Sequence, residues 1–204
     1  MENSISSFLY SVLLPLSPLR IAILASTNGT ILPDILTADY SGNVEFCVLL
    51  TNKETCGARE KAEQRGIPSI FLSAVGKSRE EWDIEALHIL QEYQVDLVLL
   101  VGFMRILSSV FISAFPGRIL NVHPSLLPKF SGGMDTDVHT EVLESGERET
   151  GATIHLVTED VDAGPIVLQK SVPVLEGDTS ETLKNRVQAV EKEIFPEAIR
   201  RFVM

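Results

Sequence analysis

Short apolar runs alternate along this chain with stretches of helical periodicity. The run RIAILAS (20–26) is apolar and ends in small residues, which predicts a buried strand. TNGT is turn material, and a helix should follow to about Asp39, with Pro33 tolerable only in its first turn. VEFCVLLTN (44–52) reads as a second strand, KETCGAREKAEQRG as a polar helix closed by Gly66, and IPSIFLS (67–73) as a third strand. SREEWDIEALHILQEY (78–93) is amphipathic: Trp82, Leu87, Ile89 and Leu90 are its apolar residues, and Ser78 with Glu81 forms a capping box. VDLVLLVGF (95–103) is a nearly continuous apolar strand, and a short helix over 107–115 leads to a further strand, GRILNVH (117–123).

Strand–helix–strand alternation with short links predicts an α/β fold: a mostly parallel, Rossmann-like twisted sheet with helices on both faces. In such sheets a ligand sits beyond the carboxyl ends of the strands. Three segments should therefore meet: STNGT, GFMRIL and NVHPS. The last third changes character. GATIHLVTED alternates as a more exposed strand does, VDAGP is a turn, and IVLQKSVPV is another strand, so the pair predicts an antiparallel addition. TSETLKNRVQAVEKEIFPEAIRRF is a long amphipathic helix with Pro196 in its path.

Composition narrows the class. The chain has 204 residues, 45% hydrophobic and 22% charged, which suits a soluble globular domain with a real core. No repeat or linker divides it, so residues 19–204 read as one domain and 1–18 as an N-terminal extension of uncertain structure. The apolar stretch of that extension, Phe8 to Leu14, is short, stops at Pro15 and has no basic residue before it, unlike a signal peptide or a membrane span. The net charge of −11 argues against a nucleic-acid surface, while backbone N–H groups can still bind a small anionic substrate. Cys47 and Cys56 lack metal-ligand spacing and suggest reduced thiols in a cytoplasmic protein; Cys47, in its strand, reads as a core thiol.

The chemistry is concentrated in RILNVHPSLLPKFSGGMD (118–135). Residues two apart on a strand share a face, so Asn121 and His123 point the same way at the carboxyl end of their strand. Pro124 cannot extend a ladder and ends the strand there. A core histidine and a turn asparagine would be the bland reading of that pair. Asp162, in EDVDAGP, reads equally as a turn aspartate.

GFMRIL, GRILNVHPSLLPKF and ETGATIHLVTEDVDAGPIVLQ together resemble the folate-dependent formyltransferases, from about Arg20 to the last residue. The resemblance implies transfer of a formyl group from 10-formyltetrahydrofolate to the primary amine of 5-phosphoribosylglycinamide in purine synthesis, with no metal. It implies that Asn121, His123 and Asp162 are catalytic. An oxyanion needs donors aimed at it, which Asn121 and a protonated His123 would supply, and a carboxylate such as Asp162 raises an imidazole's pKa. It places the folate against Arg79, Met104, Arg105, Ile106 and Leu107 and against the loop Thr158, Glu159, Asp160, Val161 and Asp162, with Asn121 shared. It places the acceptor nucleotide against Gly29, Thr30, Ile31, Pro124, Gln188 and Glu191. His88 and His155 then read as structural or supporting residues.

Two departures stand out. Thr27 and Ile31 replace a glycine and an asparagine usual in the family's phosphate loop, and the segment around SGGMDTDVH is longer than its common form, with His139 matching that loop's second histidine. The acceptor therefore stays open between phosphoribosylglycinamide and another amine, such as an amino-sugar nucleotide. A non-catalytic folate- or nucleotide-binding homologue is the alternative of a different class. The expected partners are small molecules rather than nucleic acid or membrane, with the chain a monomer or homodimer.

Overall fold

The computed structural model describes residues 17–132 and 137–203, so the expected extension falls almost wholly, and the SGGMD stretch largely, outside the described residues. Seven strands form one sheet in the order β3-β2-β1-β4-β5-β6-β7. They are β1 (Leu19–Ala25), β2 (Val44–Thr51), β3 (Ser69–Phe71), β4 (Leu97–Leu100), β5 (Ile119–His123), β6 (Glu149–Leu156) and β7 (Ile166–Pro173). The first five pair in parallel and the last two join antiparallel.

The helices are α1 (Leu32–Thr37), α2 (Gly57–Glu63), α3 (Arg79–Glu92), α4 (Ser109–Ala114), α5 (Val138–Glu144) and α6 (Ser180–Arg200). Strand alternation sorts the core between them. Along β1, Ile21, Ile23 and Ala25 face one way, into the layer of α1, α2 and α6. Ala22 and Leu24 face the other, against Trp82, Ala86 and Leu90 of α3 and Phe111 of α4. Cys47 is buried in this second layer, and both cysteines are free thiols.

Several boundaries differ from the sequence reading. The helix after TNGT ends at Thr37, the helix expected over 107–115 forms over Ser109–Ala114, and β4 is only four residues long. β6 is not the exposed strand its alternation suggested: Thr150 to His155 are all buried. Both of its faces are covered: Ala152 and Ile154 pack in the layer of α1, α2 and α6, and Thr153 is hydrogen-bonded to Ser125 and Leu127 of the segment after β5.

The capping box predicted for α3 is present, and α6 carries a second. Ser78 and Glu81 form the capping box of α3. At α6 the Thr179 hydroxyl accepts the Thr182 N–H at 3.2 Å and the Thr182 hydroxyl accepts the Thr179 N–H at 2.9 Å. Replacing Thr179 by Ala should cost about 1 kcal/mol of stability, read as a lower denaturation midpoint in urea at unchanged slope.

The strand order reverses between β1 and β4, which opens a crevice beyond their carboxyl ends. The loops there are tied together. Ser26 donates its N–H to the Gly102 carbonyl at 3.0 Å and its hydroxyl to Asn52 Oδ1 at 2.6 Å, and its Oγ accepts the Met104 N–H at 2.9 Å.

Candidate active site

A cavity of about 370 Å³ opens at this edge of the sheet. Its walls are the loop after β4, the end of β5, the start of α5, the segment after β6 and Lys184 of α6. Of the residues expected from sequence, Met104, Arg105, Ile106, Leu107, Asn121, His123, Pro124, Thr158, Val161 and Asp162 all line it.

β5 delivers Asn121 and His123 to the cavity, and Pro124 stops the strand there. His123 is buried. Its Nε2 lies 2.8 Å from the Phe130 carbonyl and its Nδ1 lies 3.3 Å from Asp162 Oδ2. Both ring nitrogens thus face acceptors. A neutral imidazole has one N–H, so either tautomer leaves a lone pair against an oxygen, and protonation relieves that contact. Burial opposes the charge. It holds the His123 pKa below its ordinary value, although Asp162 and then the Phe130 carbonyl pull it upward. The rise expected from a neighbouring carboxylate is present but is not the net outcome.

Asp162 enters from the loop after β6 with a left-handed backbone, φ +54°, a conformation that aspartate adopts more readily than most residues. A hydrogen bond from His155 chiefly holds its carboxyl below the usual range, helped by the Gly132 N–H at 2.9 Å and by the charge of His123. Two residues on, Gly164 is required by close approach rather than by its φ. A Cβ there would collide with the Leu156 carbonyl and push the turn, and Asp162 with it, off the end of β6.

His155 was expected to be supporting, and the structure shows how. Antiparallel pairing sets it directly opposite Asn121. Its Nδ1 lies 3.0 Å from the Leu156 carbonyl, and its Nε2 lies 3.2 Å from the Asn121 amide nitrogen and 3.5 Å from Asp162 Oδ1. Asn121 is thereby fixed beside His155, with an N–H left for a ligand. Sequence could show neither this pairing nor the contacts of Phe130 and Gly132. The only signal was that His155 lies on an apolar strand leading into EDVDAGP.

On the opposite wall, Met104 and Ile106 are exposed apolar residues and Leu107 is buried. Among the described residues the backbone N–H groups of Arg105, Ile106 and Leu107 have no protein acceptor, so a flat heterocycle with edge polar atoms would find both stacking and hydrogen bonds there. Among the described residues Arg105 Nε is buried without a partner, and its guanidinium lies over Trp82, 5.0 Å from the ring centre. Arg79 stands on the first turn of α3, exposed and 3.3 Å from Glu80, outside the cavity wall. Glu159 and Asp160 are also exposed and off the wall, and the Asp160 carbonyl accepts the Thr158 hydroxyl at 3.1 Å.

Of the expected acceptor residues Pro124 lines the cavity, and Gly29, Thr30, Ile31, Gln188 and Glu191 lie outside its lining. Gly29 takes φ +56° at the turn into α1, and Thr30 is exposed beside it. Ile31 turns its side chain into the core, which leaves only its backbone for a ligand. α6 packs on α1, and Lys192 lies 3.9 Å from Asp34; Gln188 stands one turn earlier on the same face of α6. Glu191 is buried, and burial pushes its pKa up to about 7 against the pull of Lys184. His139 lines the cavity near Lys184 with its Nδ1 unpaired among the described residues, and burial lowers its pKa. Among those residues no cluster of three or more His, Cys, Asp or Glu is placed to hold a metal, and no helix is long and apolar enough to cross a membrane.

The formyl transferase family pattern matches residues 19–199. Phosphoribosylglycinamide formyltransferase of Escherichia coli K12 is 40% identical over 187 residues, covering 90% of this chain and 87% of that protein. The trifunctional purine biosynthetic protein adenosine-3 of Bos taurus is 42% identical over 184 residues, covering 89% of this chain, which spans only 18% of that protein's length. The crystal structure of glycinamide ribonucleotide transformylase 1 from Symbiobacterium toebii superposes with a TM-score of 0.87 at 41% identity, over 91% of this chain and 88% of that one.

Proposed function

Because this chain belongs to the formyl transferase family, we propose that it moves the formyl group of 10-formyltetrahydrofolate to the amine of 5-phosphoribosylglycinamide, a step of purine synthesis in the cytoplasm. The observation that carries the reading is the convergence of Asn121, His123 and Asp162 on one cavity, His123 and Asp162 being 3.3 Å apart, beside a wall of unpaired backbone donors. The relatives named as acting on phosphoribosylglycinamide support the acceptor.

The chemistry follows from the donors. The acceptor nitrogen attacks the formyl carbon and its C=O bond opens to a tetrahedral oxyanion. The free N–H of Asn121 points to that oxygen. The attacking amine must lose a proton, and His123, neutral by burial, is ready to take one. The charge it gains is matched by Asp162 at Nδ1 and by the growing oxyanion, which takes the place of the Phe130 carbonyl at Nε2. Breaking the bond to folate N10 then re-forms the carbonyl, the proton passes to the leaving nitrogen, and tetrahydrofolate departs from the N-formylated product. The folate ring would lie on Met104–Leu107 and Thr158–Asp162, and the nucleotide phosphate at Gly29 and Thr30 with Gln188 and Glu191 beside it.

The buried side chain of Ile31 favours one second reading, an acceptor that asks less of the phosphate loop, such as an amino-sugar nucleotide. Turnover with 10-formyltetrahydrofolate and a panel of amines, followed by release of tetrahydrofolate, separates the two. Phosphoribosylglycinamide should give the highest kcat/KM. A faster amino-sugar nucleotide would replace the first reading by the second, and no turnover with any amine would leave a binding protein.

A further inference from the structure

One face of β6 carries the turn that follows β5. Residues 151, 153 and 155 share that face. His155 meets Asn121 and Asp162. Gly151 leaves room for the turn, since a Cβ there would stand 2.8 Å from the Leu126 side chain. Between them Thr153 is fully buried. Its hydroxyl donates to the Ser125 carbonyl at 2.6 Å and accepts the Leu127 N–H at 3.1 Å and a Gln169 Nε2–H at 2.8 Å. A hydroxyl has one proton and two lone pairs, and here all three are used. Gln169 stands opposite Thr153 on β7, and its Nε2 also donates to the Leu127 carbonyl at 3.1 Å. Both backbone polar groups of Leu127 are thus gripped by side chains from other strands.

The gripped turn ends on a strained residue. Ser125, also fully buried, donates its hydroxyl to the Lys129 carbonyl at 2.6 Å. Phe130 follows with φ +59°. That left-handed conformation is an outlier for a bulky side chain and persists only where the surroundings over-determine it. It brings the Phe130 carbonyl to 2.8 Å from His123 Nε2. Asp162 engages the other ring nitrogen. A ring held at one nitrogen can pivot, and the carbonyl supplies the second point.

We propose that Thr153 and Gln169 are positioning residues for formyl transfer: they hold the Ser125–Phe130 turn so that the Phe130 carbonyl sets the plane of the His123 imidazole. The inference rests on the formyl-transfer reading. Neither residue lines the cavity, so their effect passes through His123.

The test pairs kinetics against pH with NMR titration of the His123 ring in the full chain, its signal identified by its absence from His123→Ala. Gln169→Leu removes one grip from an exposed position on the edge strand. Thr153→Val removes the hydroxyl at nearly constant shape, and Thr153→Ser keeps it. Burial holds the His123 pKa low, opposed by Asp162 and then by the Phe130 carbonyl, while the charge of His155 lowers it further. The variants leave Asp162 and His155 in place, and with them Arg105, Asp137, His139 and Lys184 of the same cavity. Releasing the carbonyl should therefore move the His123 titration, and the acid limb of kcat with it, to lower pH. In Gln169→Leu and Thr153→Val kcat should fall about tenfold with both KM values within about twofold, and Thr153→Ser should match the wild type. An unmoved His123 titration in either folded variant, a raised KM at unchanged kcat, or a Thr153→Ser chain that behaves like Thr153→Val overturns the inference. If Thr153→Val does not fold, Gln169→Leu decides alone. A wild-type chain without turnover overturns the formyl-transfer reading and this inference with it, whereas normal wild-type turnover with an unmoved titration in Gln169→Leu overturns the inference alone.

Discussion

Replacing His123 by alanine should lower kcat for formyl transfer by roughly 10²–10³-fold while co-substrate affinity stays within about tenfold, because the imidazole acts where charge develops rather than where the folate binds. The side chain sits at the end of β5 with both nitrogens engaged, one by the Phe130 carbonyl and one by Asp162. Alanine removes the group that takes the proton and leaves the wall of Met104–Leu107 untouched. Single-turnover rates at saturating substrates, paired with calorimetric binding of a non-transferable folate, separate the two quantities. Near-normal turnover would sink the assignment, and a parallel loss of binding would move His123 from chemistry to recognition.

Asp162→Asn should have an effect of similar size, roughly 10²-fold or more in kcat, and should also displace the pH profile. Asp162 is the strongest of the influences that raise the His123 pKa, and burial already holds that pKa below its ordinary value. With the carboxylate gone, burial is less opposed and His123 falls further. Activity that depends on the neutral imidazole is present above the His123 pKa and lost as pH falls through it, so that acid limb should move to lower pH. The other ionisable side chain facing the pair is His155, 3.5 Å from Asp162. Asp162 itself has a depressed pKa, so its contribution to folding is present above the unfolded value and lost as pH falls through the folded one. The wild-type chain should therefore lose this contribution on acidification, and the Asn variant should show a flatter acid limb in thermal melts. A variant with unchanged kcat and an unmoved profile would show that the contact with His123 serves packing alone.

Much of the scaffold was legible before folding. β1, β2 and β4 are continuous apolar runs because both of their faces are covered, and such runs need no alternation to be recognised. Ser78 and Glu81 announce the start of α3 by local chemistry alone. β6 was misread as exposed for the converse reason: Thr150, Thr153 and His155 look like solvent-facing residues, and Thr153 and His155 are met by distant segments, Ser125–Leu127 and Asp162. The short β4 is a boundary error, set by where neighbouring strands stop pairing rather than by local preference.

The site divides along the same line. Sequence by itself determined that Asn121 and His123 share a strand face and that Pro124 ends the strand beside them, because strand periodicity and proline geometry are local. It also marked the 104–107 and 158–162 segments as a matched set through their resemblance to one family. Tertiary structure alone decided that Asp162 lies 3.3 Å from His123 across 39 residues of chain and that His155 lies against Asn121. It also decided that Ile31 turns inward and that burial outweighs Asp162 in setting the His123 pKa. Distances between segments, desolvation and the sign of a pKa shift all depend on what surrounds a residue in space. A linear pattern shows which groups are available, and the register of β5 against β6 determines which of them meet.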